Sequence, residues 1–423
     1  MKIKQKILKF IADLRFAICI LLLISFFSII GTIIEQDQSI ETYKSQYPLN
    51  QPFFGFLTWD IILFFGLDHI YKTVWFCSLI TIFGFSLISC TFLQQIPSVR
   101  IARRCQFFRT IEPFNKLKLS ITLTQQTFSR LMERLKFNNY SVFHQKNLLY
   151  CYKGLIGRIA PIFVHFSMLL ILGGTLISSF EGFKSQEIIP ETENFHIQNI
   201  FTSGQFTRVP NISARINDFW ITYTQQNTIK QFYSDISILN QNGIEIKRET
   251  SNVNYPIIFD NVYFYQTDWN LTGIRLLDEN KEFIEYPLLN ILNNQSKIWL
   301  TWFSLNSNIT DGIIGIIDNL QGYCSMYNNQ GFFLGNLELN EKNLALNQLQ
   351  LVDIVGSTGL QIKKDPGIFT IYIGFLFLML STILSYVTYS QIWLIQRSNK
   401  FLIGGTTTRA LFEFEFEFFN VIK

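Results

Sequence analysis

Histidine is scarce in this chain, with four in 423 residues. Six cysteines, Cys19, Cys77, Cys90, Cys105, Cys151 and Cys324, form no CxxC pair, no CxxCH and no zinc spacing. Those gaps exclude a thiol oxidoreductase and a covalent cytochrome c. Cys324 is the one cysteine between 181 and 367, so no disulfide can form within that segment. There is no HExxH, GxSxG or Walker motif either, which removes the usual hydrolytic and nucleotide-binding signatures. Internal repeats and long polar linkers are also missing.

Long apolar runs are present. Hydrophobic residues make up 48% of the chain and the mean hydropathy is +0.21, high for a soluble protein and low for one made only of membrane helices. Four runs approach the ~20 apolar residues that cross a bilayer: 14–34, 73–93, 159–180 and 368–393. None contains Asp or Glu. The first run follows lysines but exceeds a signal h-region and has no small-x-small cleavage site, so it is read as a retained helix.

Charge gives an orientation. Residues 1–15 carry five cations and one anion, 94–158 twelve and two, and 394–423 four and three; 16–93 and 159–393 are net acidic. Basic segments stay on the cytoplasmic side, so the N-terminus 1–13, the 94–158 loop and the 394–423 tail are expected to face inward. The 35–72 loop and the 181–367 domain then face outward. Arg100, Arg103, Arg104 and Arg109 read as an orientation signal and anionic-lipid contact; no nucleic-acid partner is needed to explain them. The 94–158 loop has a strand-like 116–123 and a helical 129–137, enough for a small αβ element. The aromatic-rich stretch 53–76 reads as an interfacial or re-entrant helix between the first two spans, and Trp59, Tyr71 and Trp75 suit the headgroup level.

The outer segment reads as β. Stretches 218–224, 231–239 and 243–248 are rich in β-branched and aromatic residues, and Asn242-Gly243 between the last two is a strong hairpin signal. Stretches 261–269 and 281–288 continue the pattern, giving an antiparallel sheet or sandwich. The expected fold class is thus a membrane protein of four transmembrane α-helices plus a large, mainly-β extracytoplasmic domain.

The strongest functional clue is His165, inside the run IAPIFVHFSMLLILGGTLISSF at 159–180. A titratable imidazole at membrane depth is costly without a partner. Its helix-face neighbours Ile162, Met168, Leu169 and Leu172 offer none, so the partner lies elsewhere. One reading is a histidine hydrogen-bonded to a neighbouring helix. Another is an axial ligand to haem iron, which accepts neutral imidazole. A proton relay is disfavoured because the spans hold no carboxylate. Gly173, Gly174 and Ser178 form a small-residue surface for helix packing. His69, next to Asp68 near the second span, has a weaker claim as a ligand, and His144 and His196 weaker still.

Six ordered strings carry a family resemblance across the chain: LRFAICILLLISFFSIIGTIIEQ at 14–36, FGLDHIYKTVWF at 65–76, SCTFLQQIPSVRIARR at 89–104, GRIAPIFVHFSMLLILGG at 157–174, NVNYPIIFDNVYFYQTDW at 252–269 and GSTGLQIKKDPGIFTIYIGFLFLMLSTILSY at 356–386. The tail GGTTTRALFEFEFEF at 404–418 matches as well. The chain resembles the ResB family, the B subunit (CcsB) of the System II cytochrome c synthetase, in its plastid branch. The resemblance implies a multi-pass protein of the plastid thylakoid membrane, with stromal termini and a lumenal domain. It also implies a ResC/CcsA partner bearing a WWD motif, which this chain lacks, with a thioredoxin-like thiol reductant as a further possible partner. Together the two subunits would carry haem b across the membrane and attach it to apocytochrome c CxxCH thiols, this chain being a non-catalytic or co-catalytic subunit of the haem lyase. His165 would be one axial ligand, the other coming from the partner. Within the outer domain, Tyr265, Gln266, Thr267, Asp268 and Trp269 (YQTDW) are expected to be structural. A cofactor-free permease-like or assembly scaffold is the alternative from residue physics, and a direct stabiliser of photosynthetic complexes a third.

Overall fold

The computed structural model describes every residue except 1, 54, 56, 125–126, 226–227, 278–281, 294–295, 305–311, 318–322, 341–349, 398–399 and 423. Its contacts divide the chain into two units, 1–178 with 367–423, and 179–366.

In the first unit four helices are long and apolar enough to cross a membrane: Leu14–Ile33, Val74–Ala102, Ile156–Glu181 and Ile368–Ser385. Polar side chains start the first two. Asp13 accepts from the Arg15 amide at 3.1 Å and Thr73 from the Phe76 amide at 3.4 Å, each satisfying a donor left over at a helix N-terminus. The second helix passes through a π-helical turn at Thr91–Gln95 before continuing as Ile96–Ala102. The third and fourth approach through glycine. A Cβ on Gly367 would fall 2.0 Å from the Gly174 carbonyl oxygen, and one on Gly174 would fall 2.6 Å from Ile371, so Gly174 and Ser178 line a packing seam, whereas a Cβ on Gly173 would meet nothing within 4 Å. In the 35–72 loop the short helices Ile40–Gln46 and Trp59–Phe65 bury Tyr43 and Ile62 with Ile34, Ile70 and Phe76.

The basic loop and the C-terminal tail form one element. Strands Leu119–Leu123, Lys400–Thr407, Ser390–Arg397, Leu148–Lys153 and Ser141–Gln145 lie side by side in that order, all antiparallel. Helices Phe128–Phe137 and Leu411–Ile422 share a core with the sheet, in which Leu131, Leu135, Phe414 and Phe418 join Leu394 and Ile403. One expectation changes here. The fourth span stops at Ser385 rather than 393, and the residues beyond it are a buried strand. The tail FEFEFEF alternates like a strand yet is helical, because Phe414, Phe418 and Val421 at i, i+4 and i+7 share the buried face.

Among the described residues of the second unit there are three antiparallel sheets. The long strands Val262–Leu277 and Gln350–Lys364 pair along most of their length with three register shifts, and Phe183–Pro190 joins the latter. Ser213–Tyr223, Ile229–Leu239 and Glu245–Asn252 form the expected meander. Its turn works as anticipated: Asn240 Oδ1 accepts from the amides of Asn242 and Ile244, and Gly243 takes φ +76°, a left-handed conformation cheap for glycine. The strand expected at 281–288 is observed as Phe283–Pro287, Lys281 lying outside the described residues. A third sheet, Leu289–Asn293 through Phe333–Glu338, packs Trp299, Phe303, Ile317 and Cys324 into a core with Trp269 and Leu271.

Candidate functional site

His165 has a partner within its own chain. Its Nδ1 lies 2.9 Å from Thr91 Oγ1, on the π-helical turn of the second span. Thr91 Oγ1 donates its proton to the Leu87 carbonyl at 2.8 Å. A hydroxyl has one proton to give, so Thr91 offers a lone pair to the imidazole and the network assigns the hydrogen to Nδ1. Nε2 then carries a lone pair, and the described hydrogen bonds engage Nδ1 alone. Metal-binding histidines commonly have this arrangement, with one ring nitrogen donating to an oxygen that fixes tautomer and ring plane. Neutral imidazole with a free Nε2 fits an iron ligand chemically. A π-turn often marks a functional position on a helix; here it sets the hydroxyl opposite the ring. The neighbouring-helix reading and the ligand reading are thus compatible, since they use different nitrogens.

The same pair of helices makes a second polar contact one heptad away. Arg158 Nη1 donates to Ser98 Oγ at 3.2 Å. Ser98 is seven residues past Thr91 and Arg158 seven before His165, so the helices run antiparallel with two polar rungs. The Arg158 guanidinium lies over the Tyr389 ring, 5.3 Å from its centroid, and Tyr389 donates to the Ala102 carbonyl at 3.0 Å. Burial and the neighbouring Tyr150 push the Tyr389 phenol well above its ordinary range, so it stays a neutral donor. Neither Thr91 nor Arg158 was singled out from sequence. The available signal was Thr91/Ser98 and Arg158/His165 at one shared spacing.

His69 stands apart from this seam. Its Nδ1 is 2.9 Å from Asp68 Oδ1 and its side chain is 47% exposed, in a short 3₁₀ segment where it adopts φ −143°. The helix from Val74 to Thr91 separates the two histidines, roughly 25 Å at 1.5 Å per residue, so they cannot share one iron. His144 contacts the Lys146 carbonyl and His196 bonds Gln198. No disulfide joins any of the six cysteines; Cys77, Cys151 and Cys324 are buried, and burial pushes the Cys324 thiol up to about 12, a protonated, unreactive state. Arg100, Arg103, Arg104 and Arg109 are exposed. Among the described residues no cluster of three or more His, Cys, Asp or Glu could hold a metal.

The YQTDW stretch is occupied by internal bonds. Gln266 Oε1 accepts from Ser234 and, at 2.9 Å, from Thr358; its Nε2 donates to the Asp268 carbonyl at 3.0 Å. Thr267 donates to the Gly359 carbonyl and Asp268 accepts from the Trp269 amide. Trp269 packs on Trp299 with ring centroids 5.0 Å apart. These residues build a bulge and a core.

Comparison with known proteins agrees with the organisation. The ResB-like family model matches residues 14–298 and 304–419, and the chain belongs to that family. It is 63% identical over 420 residues to the cytochrome c biogenesis protein Ccs1 of Phaeodactylum tricornutum, covering 99% of this chain and 100% of that one. It is 41% identical over 419 residues to the cytochrome c biogenesis protein CcsB of a Picosynechococcus species, covering 98% and 91%. Ccs1 of Porphyra purpurea is 40% identical over 428 residues, covering 100% and 98%. Among solved structures, likeness to the cytochrome c haem lyase CcmF covers 73% of this chain and 30% of that one at a TM-score of 0.24 and 8% identity, too low to carry any structural argument.

Proposed function

We propose that this protein is the haem-holding B-type subunit of a cytochrome c assembly complex in the plastid thylakoid membrane. The observation that carries the reading is the Leu87–Thr91–His165 relay, which holds a neutral imidazole at membrane depth with Nε2 uncommitted. Haem b supplies the iron that this nitrogen would ligate. Thr91 orients the ring, and the apolar helices exclude water from it. A ResC/CcsA-type subunit with a WWD motif would supply the second axial ligand. His69 is too distant to serve as that second ligand and sits beside Asp68 near the other end of the second span. The basic segments, now one folded sheet, face the stroma; the β unit faces the lumen, where apocytochrome c presents its CxxCH thiols. A thioredoxin-like reductant keeps those thiols free. Among the described residues no acid or base is placed for thioether formation, and the contribution we assign to this chain is proximity and orientation. The names of the relatives support assembly of cytochrome c.

The test is the haem absorption spectrum of the full chain co-purified with its partner. His165→Ala should lose most bound haem or shift it to a five-coordinate spectrum, with added imidazole restoring the wild-type form. Unchanged haem content in His165→Ala, or full function in His165→Gln, would instead favour the cofactor-free scaffold. In that case the Thr91 bond is only a packing contact, which an amide can replace.

A further inference from the structure

Arg158 stands out among the charged groups of the first unit. No carboxylate lies within ion-pair distance of it among the described residues, and its Nε is buried with no hydrogen-bond partner. It borders a cavity of about 310 Å³ whose polar lining is Gln94, Ser98, Gln106, Arg158, Tyr389 and Gln391, with no acidic residue. Several of those groups are already engaged: Gln94 donates to the Ala12 carbonyl, Tyr389 to that of Ala102, and Gln391 to the Tyr150 hydroxyl. Apart from the Gln106 amide, the donors still unused in this lining belong to the guanidinium, which spends one Nη1 donor on Ser98 and leaves its Nε without a partner. A partly buried cation without a counter-charge is costly, and a forked donor in an acid-free cavity fits a planar carboxylate.

The position of the cavity says which carboxylate. Arg158 and His165 are seven residues apart on one helix, so they share a face within ~20° and lie roughly 10 Å apart along its axis. Both bond to the same neighbouring helix, at Ser98 and Thr91. A ligand whose metal sits at His165 Nε2 and whose acidic arms extend along the seam reaches this cavity. We propose that the Arg158 cavity receives the propionate carboxylates of the tetrapyrrole held at His165, fixing which edge of the macrocycle points toward the basic segment. This inference rests on the haem reading above and adds a polarity to it: the iron and the acid arms bind at separate rungs of one helix pair.

The experiment compares haem with haem dimethyl ester, in which both carboxylates are blocked, on the full chain purified with its partner. Wild type should bind haem roughly tenfold or more tightly than the ester, the size expected for charge-assisted hydrogen bonds. Arg158→Gln should lose that preference by weakening haem alone, while His165→Ala should weaken both ligands and keep the preference. Equal wild-type affinity for haem and ester overturns the carboxylate site while leaving haem ligation standing. Wild type that binds neither overturns both. If Arg158→Gln retains the preference for haem, or instead loses co-purified anionic phospholipid with haem binding unchanged, the cavity is a lipid headgroup site and the proposal fails. Because the ester measurement uses wild-type protein, the outcome does not depend on how well the variants fold.

Discussion

Two regions of this molecule bury polar side chains, and they do so with opposite results. In the β unit, Gln266, Ser234 and Thr358 bond one another, and the remaining Gln266 donor goes to a nearby carbonyl; the network is closed. Along the second and third spans, His165 and Arg158 each use one group on the neighbouring helix and leave another unused. Closed networks specify a fold, since breaking one strands its members. An open one leaves capacity for something that arrives later. On the proposed reading, the closed Gln266 network is structural and the open seam is where a ligand is received, although an unpartnered buried atom alone does not mark a site, since Thr301 Oγ1 in the β unit is one too.

The largest effect should come from breaking the closed network. Gln266→Leu removes three hydrogen bonds from a residue only 3% exposed and should cost about 1–3 kcal/mol, measured by denaturant unfolding of the β unit followed through Trp269 and Trp299 fluorescence. Haem binding at the spans should not change. Thr91→Val is the counterpart on the open side. Losing a group that orients a metal-ligating histidine typically costs about 10–100-fold in affinity, so haem titration should show a marked loss while thermal stability barely moves. An equal loss of stability and binding would erase the distinction between the two regions.

A smaller, pH-dependent effect belongs to the β unit. The Glu191 amide donates to the Gly356 carbonyl at 3.1 Å, and its carboxyl lies beside Gly356 and Phe219. Burial first, then the nearby Asp353 and Asp218, raise its pKa to about 8, against a smaller opposing pull from Arg275. The folded state therefore binds a proton that the unfolded chain has already released, and stability declines as pH rises from the ordinary carboxylate range toward 8. Glu191→Gln should raise the melting midpoint by a few degrees at about pH 9 and leave it unchanged at about pH 5. A scan of Tm against pH that runs parallel for both proteins would contradict this.

Much of the architecture was readable from the chain because the signals are local. Asn242-Gly243 marked its hairpin, the apolar runs marked the helices, and alternation around 218–248 marked the meander. Errors arose where composition is degenerate. Ile392, Trp393, Leu394 and Ile395 are buried strand residues, and a short apolar run cannot be told from the end of a span by hydrophobicity alone. The FEFEFEF tail, to which no element was assigned, is helical, its alternation masking a helical face. His165 was conspicuous because an imidazole is rare at membrane depth. Its partner Thr91 was not, since a hydroxyl on a different helix 74 residues away leaves no mark near the histidine. Arg158 was hidden in the same way, counted as one more cation in a basic segment until the fold placed it against Ser98 and Tyr389.

The order of strands in the basic sheet has a consequence for biosynthesis. Its two central strands, Ser390–Arg397 and Lys400–Thr407, are made last, and the flanking strands Leu119–Leu123 and Leu148–Lys153 must await them. At ribosomal speeds of about 5–20 residues per second, that interval lasts on the order of tens of seconds, during which three helices are already available for insertion. A nascent or prematurely terminated chain can therefore look finished to the insertion machinery while its sheet still exposes open edges. Quality control that recognises unpaired strands could read this sheet as a completion mark, degrading any product that stops before residue 390.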